Sequence, residues 1–450
     1  MSIPSETDRT ENAAQGMERP PGSATRSRDL LIVGAGVGGL VLALVLGRKG
    51  FRVTVIDRQP AAVSFPRGEI IQPNGLKVLD QLDLLPELLQ RNVYQNKEVR
   101  FYQASGRHLC TIDYRTLPDP YAYSLVLLPE VLQSLLLEKL AECPQVEVLW
   151  GAGFRSLLRN KGNLSGATIL YQGKELKCDA PVVVGADGVR SGIREALQVR
   201  SRLYSYSDGY LTAVVDRPPG FQSELRYYLG KRTIFGAFPV SKEKLYFFYM
   251  LPGSRLEQVR ALGIDSFKEN ILSLNPENRR FMGDVLKGLS SWEALSFMRC
   301  FRVRCRRWTV QGGALLGDAA HAMNPHVAQG RNSAMEDGLV LAEVLEACFQ
   351  NGDFSSHALS AYEKARRPSV KALQDLGDEM AWLWNTGWSP LIWARDRSFR
   401  TLHLDKALKG KILNTVSGVR IHPFAFRDRW RALNLWSRFH SGKEGTENQA

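Results

Sequence analysis

Asp29 to Gln59 reads DLLIVGAGVGGLVLALVLGRKGFRVTVIDRQ. An apolar run, Asp29–Val33, is short enough for a buried strand and gives way to Gly34-Ala35-Gly36-Val37-Gly38-Gly39. That is G-x-G-x-x-G at the point where a strand should pass into a helix. Leu40–Lys49 then carries a helical pattern, Gly50 ends it, and Arg52–Ile56 reads as a second strand closed by Asp57. The chemistry of each position is specific. Gly34 permits a tight turn, Gly36 lets a pyrophosphate approach the backbone, and Gly39 lets helix and strand pack closely. Val37 and Gly38 open the helix whose N-terminus faces the phosphates. Asp57 stands 23 residues after Gly34, where a carboxylate accepts from ribose hydroxyls, with Arg58 beside it. The motif in this frame predicts a dinucleotide site and does not by itself separate FAD from NAD. The apolar stretch Leu30–Gly47 is long enough to be mistaken for a membrane span, but its glycines favour the turn.

Two more stretches repeat the strand-to-turn-to-helix theme. In CDAPVVVGADGVRSGIREAL, from Cys178, a strand over Pro181–Gly185 delivers Asp187-Gly188, then a helix with Ser191 and Arg194. In LLGDAAHAMNPHVAQGRNSAMEDGL, Leu315 to Leu339, a strand end delivers Gly317-Asp318, then a polar turn and a long helix.

The three together resemble the class A flavin monooxygenases, the p-hydroxybenzoate hydroxylase type. These carry G-x-G-x-x-G, ADGxxSxxR and GDAAHxxxPxxGQGxNxxxED in this order. The resemblance spans about Asp29 to Met380. It implies FAD as cofactor and NADPH or NADH as co-substrate, with no separate domain for the nicotinamide. It implies that Asp318 accepts from a ribityl hydroxyl, and that the turn through Pro325, Gln329, Gly330 and Asn332 lies along the isoalloxazine. Backbone N–H groups near Arg331 and Asn332 would then stabilise negative charge on the reduced ring. It also puts Arg67 against the flavin, with Glu69 as its structural partner. His321 is a structural feature of the pattern. His326 is not part of it and is expected to face substrate. Arg67, Pro325 and His326 are therefore the candidate catalytic residues. The chain departs from the pattern in three places. Ala328 replaces the first glycine of Gly-Gln-Gly, which narrows the allowed backbone. Asp57 replaces a commoner Glu. No Arg occurs in Tyr123–Ser134, so Gln133 is expected to substitute for one that meets the cofactor.

The implied fold class is α/β with an α+β substrate part: a Rossmann-like FAD-binding domain, an interleaved antiparallel-sheet substrate domain, and C-terminal helices. Expected boundaries are a disordered leader over 1–28 and an FAD-binding domain from 29–67, 129–199 and 300–376. The substrate domain takes 68–128 and 200–299, and a basic, Trp-rich helical segment takes 377–450. Alternating runs such as ELRYYLG, RTIFGAFPV and KLYFFYML supply the strands. Their aromatic density favours an apolar or aromatic substrate, with Tyr210, Tyr228, Phe235, Phe238 and Phe248 as candidate substrate-binding residues.

Net charge is +13, and Leu391–His440 alone holds eleven Lys and Arg against three Asp and Glu. Trp382, Trp384, Trp388, Trp393, Trp430 and Trp436 are interspersed with them. This segment looks like the C-terminal helices of monooxygenases that act on quinone precursors and other lipid-like rings. A helical cap is favoured, and peripheral membrane contact is the second reading. No nucleic-acid motif accompanies the charge. The six cysteines form no C-x-x-C pair or zinc spacing, so no metal site is expected and the scattered thiols suit a cytoplasmic setting.

The expected activity is FAD-dependent monooxygenation with NAD(P)H and O2. It would hydroxylate, or as a second choice epoxidise, a hydrophobic aromatic compound of secondary metabolism such as a quinolone, phenol or quinone precursor, with prenylated and polyketide-derived rings among the candidates. A double-bond reductase of the geranylgeranyl type shares the FAD motifs and stays an alternative. A flavin halogenase is disfavoured because the Trp-x-Trp here, Trp382-Leu383-Trp384, continues as Asn-Thr. A non-catalytic flavoprotein is the least favoured.

Overall fold

The computed structural model describes residues 26–62, 66–221, 224–273 and 279–433. Most of the expected leader, and Trp436, lie outside the described residues. The run Asp29–Gln59 folds as strand Leu30–Val33, helix Val37–Arg48 and strand Val53–Asp57. The helix begins at Val37 rather than Leu40, so Gly38 and Gly39 lie in its first turn. Among the described residues no helix is long and apolar enough to cross a membrane.

These two strands sit in a six-stranded sheet. Its order is Thr309–Val310, Gly313–Leu315, Val182–Gly185, Leu30–Val33, Val53–Asp57, Val146–Trp150. All its pairings are parallel except the Thr309–Val310 edge. These strands are buried on both faces, which is why they read as unbroken apolar runs: Leu30–Ile32 and Val182–Val184 are wholly buried. The register is decisive for function. Val33 pairs with Gly185 and Gly185 with Leu315, so three parallel strands end level with one another. The glycine turn, the Asp187 turn and the Asp318 turn therefore meet at the carboxyl edge of the sheet, where ligands of open α/β sheets bind.

A seven-stranded sheet carries the aromatic residues. Its order is Ser296–Cys305, Ser201–Asp216, Lys244–Pro252, Ile234–Pro239, Leu225–Leu229, Glu98–Gln103, His108–Asp113. It is antiparallel apart from the pairing of Leu225–Leu229 with Glu98–Gln103. The strand Ser296–Cys305 runs across the boundary expected at residue 300. One face packs Phe247, Tyr249 and Leu251 on Phe267, Ile271, Met282 and Val285 of two surface helices. The other face turns toward the cofactor edge.

Helix Ser356–Trp384 runs without a break through the boundary expected at 377. Three helices follow: Ser389–Leu404, Lys406–Val416 and Phe426–Leu433. They are pinned to the aromatic sheet by Arg395, which is 1% exposed. Its guanidinium donates to the carbonyls of Gly230 at 2.8 Å and Trp384 at 3.2 Å, and to Asp396 at 2.9 Å. A buried cation is tolerated only when its donors are met in this way.

Candidate active site

The glycine turn is built for a ligand as well as for folding. Gly34 has φ +115°, and a Cβ there would lie 2.3 Å from the Ala186 carbonyl oxygen, so the fold itself demands glycine. Gly36 is different. Its φ of −70° and ψ of 165° suit any residue, and a Cβ would meet no protein atom within 4 Å. Glycine at this position leaves room that the protein does not use. Ala35 between them is held from both sides: its N–H donates to Asp57 at 2.9 Å, and its carbonyl accepts from Gln133 at 3.1 Å. The second Asp57 oxygen accepts from the Gln59 N–H at 2.9 Å. Arg58 is exposed. Helix Val37–Arg48 has no side-chain cap and no acidic residue in its first turn, so its leading N–H groups point free into the cleft.

The other two turns are clamped by the remaining motif residues. The Ser191 hydroxyl accepts from the Arg194 N–H at 2.9 Å, and Arg194 donates across to the Ala319 carbonyl at 2.9 Å, tying one turn to the next. Asp187 accepts from the Ile193 N–H at 3.1 Å, while its second oxygen is buried without a partner among the described residues. Burial pushes its carboxyl up, against the pull of the Ser191 and Ile193 hydrogen bonds. Asp337 accepts from His321 at 2.6 Å, Arg366 at 2.8 Å and the Gly317 N–H at 3.2 Å. Burial would raise the Asp337 carboxyl, but His321 and Arg366 hold it low. His321 thus serves this buried clamp.

A cavity of about 420 Å³ lies between the three turns and the aromatic sheet. Gly36 to Gly39, Gly188, Asp318, Pro325, Gly330 and Arg331 line it on the turn side. Its charged residues, Arg67, Glu69, Asp318 and Arg331, form one cluster. Glu69 lies 3.0 Å from Arg67 and pairs with Arg331 through its other oxygen. Asp318 opens onto the cavity and has no hydrogen-bond partner among the described residues. Protein surrounds it on every other side, so desolvation pushes its carboxyl up although His321, Arg67 and Arg331 oppose this. Burial also lowers the Arg331 guanidinium, whose Nη1 is orphaned.

The loop between Asp318 and the long helix Gly330–Asn351 is fixed by buried amides. Gln329 and Asn74 exchange two hydrogen bonds, at 3.0 and 3.1 Å. Asn332 does not line the cavity. It accepts from the Gln72 N–H at 3.0 Å and donates to Ile70 and Ala328 carbonyls at 3.1 and 2.8 Å, stitching the loop to strand Glu69–Ile71. Ala328 takes φ +50°, ψ 38°, the left-handed conformation that glycine would occupy at no cost. His326 is buried. Its Nε2 lies 3.0 Å from Asn385 Oδ1, and Asn385 in turn donates to Asp208 at 3.1 Å. Both ring nitrogens therefore face amide oxygens, Nε2 that of Asn385 and Nδ1 that of Asn324. Asn324 Oδ1 accepts the His326 backbone N–H, and the Tyr210 hydroxyl lies 3.3 Å from Nδ1. Burial lowers the imidazole to about 4, so it is neutral at physiological pH.

Tyr210, Phe238 and Phe248 form the sheet wall of the cavity, as expected. Tyr228 and Phe235 do not. They lie on the opposite face with Phe247 and Leu286, because strand parity reverses at each residue and these two have the wrong one. Tyr227 and Tyr246 take their place, and Trp384 joins them from the C-terminal helices. Parity relative to the neighbouring strand, Tyr227 opposite Gly236 opposite Phe248, is the signal that separates them. Gly236 makes room: a Cβ there would lie 2.1 Å from the Phe248 ring.

The residues fit FAD. An empty cradle at Gly36, an uncapped helix start, an unpartnered Asp318 and the orphaned Arg331 nitrogen converge on one cleft. The FAD binding domain family matches residues 27–376. The 6-methylpretetramide 4-monooxygenase of Streptomyces rimosus is 30% identical over 357 residues, covering 79% of this chain and 84% of that protein. Two solved structures share the fold. Pseudomonas aeruginosa PqsL in complex with 2-aminobenzoylacetate gives a TM-score of 0.72 at 24% identity, over 80% of this chain and 97% of that one. The p-nitrophenol 4-monooxygenase PnpA of Pseudomonas putida gives 0.75 at 19% identity, over 88% and 100%. Three cofactor turns on adjacent parallel strands, closed over by an aromatic sheet, place this chain in the family of class A FAD-dependent monooxygenases.

Proposed function

We propose that this enzyme hydroxylates an uncharged, hydrophobic aromatic compound, with NADPH or NADH as reductant and O2 as oxidant. One observation carries the reading: the charged residues of the cavity, Arg67, Glu69, Asp318 and Arg331, form one mutually compensating cluster, and the sheet wall is aromatic. A ring stacked on that wall meets Tyr227, Phe238, Phe248 and Trp384. The relatives named for aromatic compounds support the same choice. Bound FAD supplies activation of O2 and delivery of one oxygen atom. The chain's own residues bind, orient and exclude water. The uncapped start of helix Gly330–Asn351 and Arg331 favour negative charge at the cofactor edge. Arg67 joins them through Glu69. Pro325 shapes the turn that carries His326, and the neutral His326–Tyr210 pair offers a phenolic or enolic oxygen a hydrogen-bonding end.

The test is oxidation of NADPH and NADH by the purified holoenzyme, with O2 uptake, across a panel of phenols, quinolones and quinone precursors. Stimulated oxidation with labelled oxygen recovered in the product is the expected result. Stimulated reduction with no oxygen in any product would turn the reading to a reductase.

We also read the C-terminal segment as a peripheral contact for anionic membrane. Trp388, Trp393, Phe426 and Trp430 are among the large apolar side chains it leaves exposed, and Lys and Arg outnumber acids around them.

A further inference from the structure

A second cavity, of about 370 Å³, lies behind the first. Its walls are hydrocarbon: Phe101, Ile112 and Leu225 from the aromatic sheet, and Ala394, Leu402 and Leu413 from the C-terminal helices. Apart from the Ser398 hydroxyl, the polar groups at its edge are engaged with one another. Tyr114 donates to Gln72 at 2.9 Å, Lys411 to Asp428 at 2.6 Å, and Arg429 to Glu379 at 2.6 Å. Nothing inside asks for a polar ligand. The two cavities share Ile70, Tyr227, His326, Ala328 and Trp384, so a wall one side chain thick divides them. The helices that roof the second cavity follow residue 384, whereas the family match ends at residue 376.

We propose that this chamber holds an extended aliphatic tail carried by the aromatic substrate. The ring occupies the first cavity, and the tail passes the Tyr227–Trp384 wall by side-chain rotation of the kind common on ligand binding. The proposal rests on the hydroxylase reading for the ring and assigns a substrate class: aromatic compounds bearing a long alkyl or isoprenoid chain. Contiguity with the reaction cavity and a lining of hydrocarbon, with the Ser398 hydroxyl unengaged at its edge among the described residues, favour a tail over a separate soluble ligand. Trp382, 62% exposed, stands at the outer edge of the chamber.

The test uses the FAD holoenzyme and para-alkylphenols from methyl to nonyl, with affinity read by calorimetry. Each methylene that enters the chamber should tighten binding about fourfold, the equivalent of about 0.8 kcal/mol, until the chamber is full and the gain stops. Ala394→Phe and, independently, Leu413→Phe fill the chamber, so the plateau should come at a shorter chain. Their unchanged affinity for the methyl compound shows that each variant is folded. A gain with length that is the same in both filled variants would overturn the proposal, because the tail would then lie elsewhere. Affinity independent of length, or no binding at any length, would overturn it too. The two readings separate cleanly. Turnover of short phenols without any effect of length leaves the hydroxylase and removes the tail site. Length-dependent binding that shifts in the filled variants, without stimulated nicotinamide oxidation, leaves the tail site and removes the hydroxylase.

Discussion

Glu69 lies 3.0 Å from Arg67 and, through its other oxygen, pairs with Arg331, so one carboxylate bridges two guanidiniums that line the cavity. Glu69→Gln removes that charge and leaves the arginines in place. The positive potential at the cofactor edge then rises, which favours the more negative, reduced form of a bound flavin. The reduction potential of the holoenzyme should move positive by about 20–40 mV, equivalent to about 1–2 kcal/mol for two electrons. Dye-equilibration titration reads it. A shift to more negative potential would contradict this placement of charge.

Gly34 and Gly36 should respond in opposite ways to the same substitution. Gly34→Ala forces a side chain onto the Ala186 carbonyl at a φ of +115°, costing about 3 kcal/mol or more, so the protein should be recovered poorly folded. Gly36→Ala strains nothing in the protein. Its thermal stability without FAD should be unchanged, while FAD affinity, measured by fluorescence titration, falls roughly tenfold to a hundredfold, about 1–3 kcal/mol.

Ala328 holds a left-handed conformation that costs an L-residue about 1–2 kcal/mol. Glycine removes that strain but gives the unfolded chain about 0.4–1 kcal/mol of extra freedom. Ala328→Gly should therefore stabilise by about 0.5–1 kcal/mol in urea unfolding. Ala328→Val, with a branched Cβ, should destabilise and loosen the turn before Gln329.

His326 binds its proton less readily when folded, down to about 4 from an ordinary 6.5, because it is buried. The unfolded chain therefore takes up the proton first as pH falls. Stability should be flat above about 6.5 and decline between 6.5 and 4, by about 3 kcal/mol for this group alone. In His326→Gln the urea midpoint should decline less over that window. An equal slope in both proteins would show that other groups set the acid limit.

The C-terminal segment should sediment with vesicles containing anionic phospholipid and stay in solution with purely zwitterionic ones. Salt at about 0.5 M should release it, since exposed charges are screened within a few ångströms there. Trp388→Ala with Trp430→Ala should weaken binding at low salt. Equal binding to zwitterionic vesicles would remove the role given to the basic residues.

What the chain announces in its sequence is local. A strand running into a glycine turn marks each cofactor site, with the acid next to the turn at Asp187 and Asp318 and 23 residues on at Asp57, and all three can be read one at a time. Their meeting at one edge follows from parallel pairing, which the family resemblance implied. The substrate wall is another matter. Tyr227 and Tyr228 are adjacent and chemically identical, and only the register against Gly236 and Phe248 decides which one faces the cavity. The side-chain amide of Asn332 is consumed by Gln72, Ile70 and Ala328, a structural task that its place in the turn does not announce. The second cavity is formed between elements some three hundred residues apart, Phe101 and Leu402 among them. No local pattern in either segment encodes a space between them.

All six cysteines are unpaired and buried, and burial pushes the Cys110 and Cys300 thiols up to about 12. The thiolate is the reactive species, so the native protein should be almost silent toward maleimides at neutral pH. A single cysteine introduced at exposed Leu404 would then carry a fluorophore without any background labelling. The motions of the C-terminal helices could be followed in the wild-type cysteine background, with no native thiol removed first.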